Sequence, residues 1–416
     1  MKKNLGVYIH IPFCARKCSY CDFYSLAGQS QLIKKYHHAL LRHISESAQQ
    51  LAGYYIDTVY IGGGTPSYYG ADRLIEIFDA LKKYGNVLIE SEVTVEVNPD
   101  SIKKQDLIKL RKAGFNRVSI GVQSADDEIL KKIGRIHNFA AAETAVENAR
   151  AAGFNNISID LMYGLPSQSR ENWAETITKA VMLKPDHISC YGLKVCEGTE
   201  LYILKDTPFL PDDDTQADMY LYAVDALRKY GFRQYEISNF AKKGHESRHN
   251  MKYWTGEEYI GFGAAAHSYM GCVRYGNIPD AAKYIENIFS GEAVVEQTEK
   301  INAFERGSEY LMLGLRTVRG ISGEEYRSIY PADFGPIEEK LKICREHGWA
   351  VQKGDRWNFT PEGFLLSNIL IGQVLDAQTE QNVSQPRPWR TETQRIDARE
   401  LAEMSRDSQS AFFNGI

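Results

Sequence analysis

The stretch GVYIHIPFCARKCSYCDF, residues 6–23, decides how this chain is to be read. Its first half is dense in β-branched and aromatic residues, the composition of a strand. Directly behind it stand Cys14, Cys18 and Cys21, a C-x3-C-x2-C spacing. Thiolates are soft ligands suited to iron–sulfur clusters, and three on one short loop can reach three corners of a cubane. The fourth iron is then open to a small chelating molecule. Zinc is the competing occupant. Structural zinc takes four protein ligands, however, and no fourth cysteine lies at knuckle spacing, which leaves His10 as the side chain that could complete the set.

Outward from this loop, as far as about residue 235, short β-rich runs alternate with longer segments of helical period. The strands read as Gly6–Ile11, Thr58–Gly62, Glu92–Val97, Arg117–Val122, Ser158–Met162 and His187–Leu193. Helices are expected over Gln31–Ala52, Ala71–Tyr84, Ser101–Ala113 and Phe139–Ala152, with Gly114 and Gly153 placed to end two of them in the left-handed conformation. Six βα units predict an α/β fold around a parallel sheet, closed in the manner of a barrel whose ligands gather at the C-terminal ends of the strands. The glycine-rich and polar motifs fall at those ends: GGGTP at 62–66, EVNP at 96–99, GVQS at 121–124 and DLMYGLP at 160–166.

The alternation stops near residue 236, so residues 1–236 are read as the barrel. Residues 237–302, rich in Tyr, His, Asn and Gly, are expected to form a connecting subdomain. Helical patterns over Ala303–Leu315 and Pro336–His347, followed by a β pair at Ala350–Lys353 and Arg356–Thr360, predict a small α+β, winged-helix-like domain over 303–375. Residues 376–416 are polar and are expected to form a flexible tail.

Composition narrows the function. Hydrophobic residues make up 43%, charged residues 25%, and the formal charge is −5, which disfavours a nucleic-acid partner. No apolar run approaches the ~20 residues of a membrane span, and the N-terminus lacks a signal peptide's apolar core, so a cytoplasmic protein is expected. The chain has seven cysteines, an odd number that does not suggest a disulfide framework. Cys190, Cys196, Cys272 and Cys344 are scattered, and each is read as a small buried hydrophobe.

The C-x3-C-x2-C loop with Tyr20 before its last cysteine resembles the signature of the radical S-adenosylmethionine (SAM) superfamily. That resemblance implies a partial (β/α)6 barrel, a [4Fe–4S] cluster on Cys14, Cys18 and Cys21, and SAM chelating the open iron. Read alone, the glycine run would be a tight turn, Glu96 an exposed strand-end charge, and Gln123 and Arg135 structural residues. Together with Tyr8 on the first strand, the motifs resemble the oxygen-independent coproporphyrinogen III oxidase-like family and its HemW heme-chaperone branch, over nearly all of residues 5–375. The resemblance implies that Tyr8, Tyr20, Gly63, Gly64, Thr65, Glu96, Gln123, Arg135 and Asp160 bind SAM.

Two departures separate the branches. The oxidases continue past the third cysteine as C-x-C, where this chain has Phe23, and they carry a longer segment before the cluster loop. Both departures are similar to the chaperone branch, as is HNMKYW at 249–254. A chaperone role is therefore expected, with heme as a further ligand, heme-accepting proteins such as respiratory enzymes as partners, and a reductant. An imidazole is a good axial ligand for heme iron, which makes His249 the candidate, ahead of His267 and Cys272. The structural reading of His249 is a hydrogen-bonded residue beside Asn250, Tyr253 and Trp254. The alternatives are the oxidase reaction and, from another class, a nucleic-acid-binding role for the C-terminal domain, which the negative charge opposes.

Overall fold

A computed structural model describes residues 2–380, and the part of the expected tail at 381–416 lies outside the described residues. Six parallel strands follow the predicted order: β1 (Lys3–Ile11), β2 (Tyr54–Gly63), β3 (Val87–Val97), β4 (Arg117–Gln123), β5 (Ile157–Tyr163) and β6 (His187–Gly192). Their faces differ sharply. Val7 and Ile9, Val59 and Ile61, Val93 and Val95, Val118 and Ile120, and Ile157 and Ile159 point outward and are buried in one continuous core with helix residues such as Leu74, Ile77, Leu107 and Leu110. Each such Val or Ile contributes about 1.5–3 kcal/mol by leaving water.

The inward positions are polar. Tyr8 lies opposite Tyr60, Tyr60 opposite Thr94, Glu96 opposite Ser119, Ser119 opposite Ser158, and Asp160 opposite Ser189. Side chains alternate along a strand, so this register gathers one row of hydroxyls and carboxylates on the inner face. A closed eight-stranded barrel fills that space with Val, Ile and Leu. Here the interior is a polar chamber instead.

Residues after 230 extend the same sheet at both edges, where the sequence suggested a separate connecting subdomain. The added strands are β7 (Arg233–Gln234), β8 (Asn239–Ala241), β9 (Tyr259–Phe262), β10 (His267–Met270), β11 (Val273–Asn277) and β12 (Val295–Lys300). The sheet order is β12-β11-β10-β9-β1-β2-β3-β4-β5-β6-β8-β7, with β9 parallel to β1 and β8 antiparallel to β6. The outermost strand β12, VEQTEK, is exposed throughout, and its charges blunt the free edge.

The helix Arg248–Thr255 closes the bottom of the barrel. Ser247 caps it, and Glu92 accepts the backbone N–H groups of Arg248 (3.1 Å) and His249 (3.0 Å), satisfying donors that a helix start leaves without intrahelical partners. Beyond it, helices Ala303–Gly314, Gly323–Ile329 and Gly335–Glu346 surround a three-stranded sheet of Ile321–Ser322, Arg356–Phe359 and Ala350–Lys353. This is the expected smaller α+β domain, and its last helix runs from Ser367 to Glu380, past the residue 376 where the flexible tail was expected to begin. Ile237 donates its N–H to the Arg316 carbonyl (2.9 Å), tying the domain to the barrel.

Candidate cofactor site

The cysteine loop leaves β1 at the top of the barrel. The pair Phe13–Cys14 bridges to Leu26–Ala27, closing the loop at its base. Two further backbone bonds hold its tip: Ser19 donates to Ile133 (3.2 Å) and Leu201 donates to Ser19 (3.0 Å). All three cysteines are free thiols, Cys14 buried and Cys18 and Cys21 half-buried, and all line one cavity of about 720 Å³ inside the barrel. The Thr65 hydroxyl donates to Cys14 Sγ (3.4 Å) and Arg135 Nη1 donates to Cys18 Sγ (3.6 Å).

This donor set fits a cluster better than a single ion. Among the described residues no three His, Cys, Asp or Glu side chains form a mononuclear metal site. A cubane takes one thiolate per iron, so its sulfurs need not converge. The His10 alternative fails as well, because His10 Nδ1 bonds the Tyr8 hydroxyl (2.9 Å) and Nε2 lies 2.9 Å from the Tyr24 carbonyl, leaving neither nitrogen for zinc.

The motifs at the strand ends meet around the same cavity. Gly62 leaves room for the Glu96 carboxyl, to which a Cβ would come within 2.9 Å, and a Cβ on Gly64 would lie 2.8 Å from the Pro12 backbone and 2.9 Å from Cys14 Sγ. Gly63, at φ +116°, donates its N–H to Glu96 Oε2 (3.1 Å), and the Tyr60 hydroxyl donates to Oε1 (2.7 Å). Glu96 is thus a cavity wall rather than an exposed strand end. Burial pushes its carboxyl up to about 7, against the lowering effect of Tyr60. Asp160 is likewise raised by burial, while Ser189 and Ser119 lower it by hydrogen bonding.

Gln123 reaches the cavity through a local irregularity. The register of β4 against β5 shifts between Gly121 and Gln123, and Gln123 takes φ +67°, which re-aims its side chain. Arg135 Nη2 donates to Asn98 Oδ1 (2.8 Å) and to the Gly121 carbonyl (2.8 Å), so one guanidinium ties two strand ends to the cysteine loop. Cys14, Cys18, Cys21, Tyr20, Gly63, Gly64, Thr65, Glu96, Gln123, Arg135 and Asp160 therefore share one chamber. Tyr8 does not line it; it stands behind the wall, stacked on Tyr60 with ring centroids 6.3 Å apart.

His249, expected as a heme ligand, has a hydrogen-bond partner on each ring nitrogen. It is 1% exposed beneath the barrel floor, with Nδ1 bonded to Thr58 Oγ1 (2.9 Å) and Nε2 to the Tyr253 hydroxyl (2.8 Å). Burial lowers its pKa to about 3, so it stays neutral. Neither nitrogen is free for an iron in this arrangement. His267 is exposed at the start of β10, and Cys272 is half-buried in a turn at φ +62°. Cys190 and Cys344 are buried as expected, whereas Cys196 is half-buried with its thiol 3.2 Å from Asp22.

Several cavity residues escaped the sequence reading: Tyr60, Asn98, Arg117 and Asn250. The period-2 pattern carried the signal for Tyr60 and Arg117, since Tyr60 stands two residues before Gly62 of the glycine motif and Arg117 two residues before the cavity-lining Ser119. Asn250 is the member of the HNMKYW motif that lines the chamber.

A parallel β/α barrel with three unpaired thiols at its mouth and a glycine-rich, carboxylate-lined chamber behind them defines a radical SAM protein. The sequence matches the radical SAM superfamily model over residues 8–180 and the HemN C-terminal domain model over 301–366. The resident cofactors of that class are a [4Fe–4S] cluster and SAM. Within it, the chain belongs to the HemW family. It is 37% identical over 374 residues to the heme chaperone HemW of Bacillus subtilis, covering 89% of this chain and 99% of that one. With the heme chaperone HemW of Escherichia coli the identity is 32%, over 88% and 97% of the two chains. The solved E. coli coproporphyrinogen III oxidase has the same fold, at a TM-score of 0.80 and 22% identity, covering 92% of this chain and 91% of its own.

Proposed function

We propose that this protein is a cytoplasmic heme chaperone, which binds heme and passes it to acceptor proteins such as respiratory enzymes. The observation that carries the reading is the near-complete alignment with HemW chains, spanning both the barrel and the C-terminal domain. At the site itself, Phe23 stands where the oxidases carry a further cysteine, and it is 66% exposed at the chamber mouth, a flat apolar surface beside the cluster loop. Among the described residues no helix is long and apolar enough to cross a membrane.

In this reading Cys14, Cys18 and Cys21 hold the cluster, Thr65 and Arg135 donate to two of the sulfurs, and the cluster supplies an iron that SAM can chelate and an electron from an external reductant. Glu96 and Asp160 give the chamber a carboxyl wall that, when ionised, suits the ammonium, sulfonium and ribose hydroxyls of SAM. Gln123 and Gly63 fix the walls around it. His249 holds the HNMKYW helix to the barrel floor and is not assigned to the heme iron.

The test is an anaerobic comparison on the reconstituted protein of heme titration by absorbance and coproporphyrinogen III turnover with SAM and a reductant. Saturable heme binding without turnover is expected. Turnover to protoporphyrinogen IX without stable heme binding would assign the protein to the oxidase reaction instead.

A further inference from the structure

Among the described residues Arg117 is the one arginine in the set of largest fully buried side chains, 2% exposed, and it lines the chamber. Its Nε is buried without a hydrogen-bond partner among the described residues. An arginine cannot shed its charge, so a guanidinium out of water needs acceptors to repay its desolvation. Glu92 and Asp160 face it closely enough to favour its charge, yet neither accepts a hydrogen bond from it. Glu92 receives the backbone N–H groups of Arg248 and His249, and Asp160 receives the Ser119 hydroxyl.

Position sharpens the point. Arg117 pairs with Thr94, two residues before the Glu96–Ser119 pair, so its Cα lies about 7 Å below the Glu96 layer at ~3.3 Å per residue. The cysteines enter the chamber from the opposite, upper end. At the lower end Asn250 also lines the wall, its backbone N–H held by Ser247 while its carboxamide is not part of that cap. A guanidinium and a carboxamide therefore both line the lower part of a chamber whose cofactor residues lie near its top.

We infer that the chamber floor is a carboxylate-binding subsite, with Arg117 as its cation and Asn250 as a second donor. The carboxylate that fits is a propionate of a tetrapyrrole, because the amino and carboxylate groups of SAM are taken up in chelating the cluster iron at the upper end. This source rests on the chaperone reading and makes the floor the anchor for one edge of the macrocycle.

The simplest probe is propionate, added to the full chain while its thermal unfolding is followed. Wild type is expected to show saturable stabilisation that Arg117→Gln abolishes and Arg117→Lys partly restores. Equal responses in wild type and Arg117→Gln, or none in wild type, would overturn the subsite. Should Arg117→Gln fail to fold, Asn250→Leu serves in its place and is expected to weaken the same response.

Titrations with protoporphyrin IX, its dimethyl ester and SAM then identify the source. Loss of a charge-assisted contact corresponds to a fall of about 10- to 100-fold in affinity. A fall confined to the free-acid porphyrin in Arg117→Gln, with the ester and SAM unchanged, supports the propionate. A fall confined to SAM would overturn the propionate subsite. Unchanged affinity for both would count against the subsite. A wild-type protein that takes up no heme refutes the chaperone reading, while the propionate response still decides the subsite.

Discussion

Glu96 makes SAM binding a titration. With its carboxyl pushed up to about 7 by burial, it is about 10% ionised at pH 6 and about 90% at pH 8. A cationic ligand, or one offering hydroxyl donors, is favoured by the ionised form. SAM affinity is therefore expected to rise about tenfold from pH 6 to pH 8. Apo-protein stability responds with the opposite sign, because a raised carboxyl contributes fully below its unfolded value of about 4.5 and the contribution is lost as pH rises through 7. The assay is anaerobic calorimetric titration of SAM into the cluster-loaded protein at pH 6, 7 and 8, for wild type and Glu96→Gln. Glu236, also raised to about 7 by burial, supplies the control: Glu236→Gln should keep the slope that Glu96→Gln removes. A flat wild-type profile, or one that persists in Glu96→Gln, would refute the reasoning.

Gly64→Ala should lower cluster incorporation, because its Cβ would press on Cys14 Sγ and the Pro12 backbone; overpacking of this kind costs about 1–3 kcal/mol, read by iron and sulfide content and by melting. The triple variant Cys14→Ala, Cys18→Ala, Cys21→Ala should bind neither iron nor sulfide after reconstitution, and wild-type loading in it would remove the cluster assignment. His249→Ala should cost about 2–4 kcal/mol of stability by vacating a buried site with two hydrogen bonds, while heme affinity stays at the wild-type value; a lost heme spectrum with intact folding would restore His249 as a ligand. Arg135→Met should weaken SAM binding and perturb the cluster's electron paramagnetic resonance signal, since the guanidinium links Asn98, Gly121 and Cys18.

The barrel was legible because its strands carry two signals at once, an apolar outward row and turn chemistry at the ends. The helix Ala71–Tyr84 matches its predicted bounds, where Gly85 follows it. The expected helix Gln31–Ala52 is instead divided, its main part ending at Glu46 before a separate turn from Ala48, because Ser47 accommodates a break that periodicity does not register. The strands at the sheet edges were missed for a different reason. They are only two to six residues long, and their pairing is settled by partners distant in sequence, as Tyr259 beside Gly6 illustrates. At the site, spacing marked the three cysteines and the glycine motif. It could not show that Arg117 lacks a partner or that both His249 nitrogens have one, since those are properties of side chains brought from four different elements.

The edge strands carry a consequence for synthesis. A ribosome that has released residues as far as 192 has delivered the whole set β1 to β6, yet both flanks of that nascent sheet still present bare N–H and C=O rows, since β8 and β9 come later in the chain. Unpaired flanks of this kind template intermolecular association. The emerging polypeptide must therefore wait some 70 residues, through Phe262, before its own downstream segments can seal both sides, and it is over this interval of translation that a chaperone for nascent chains would have most to protect.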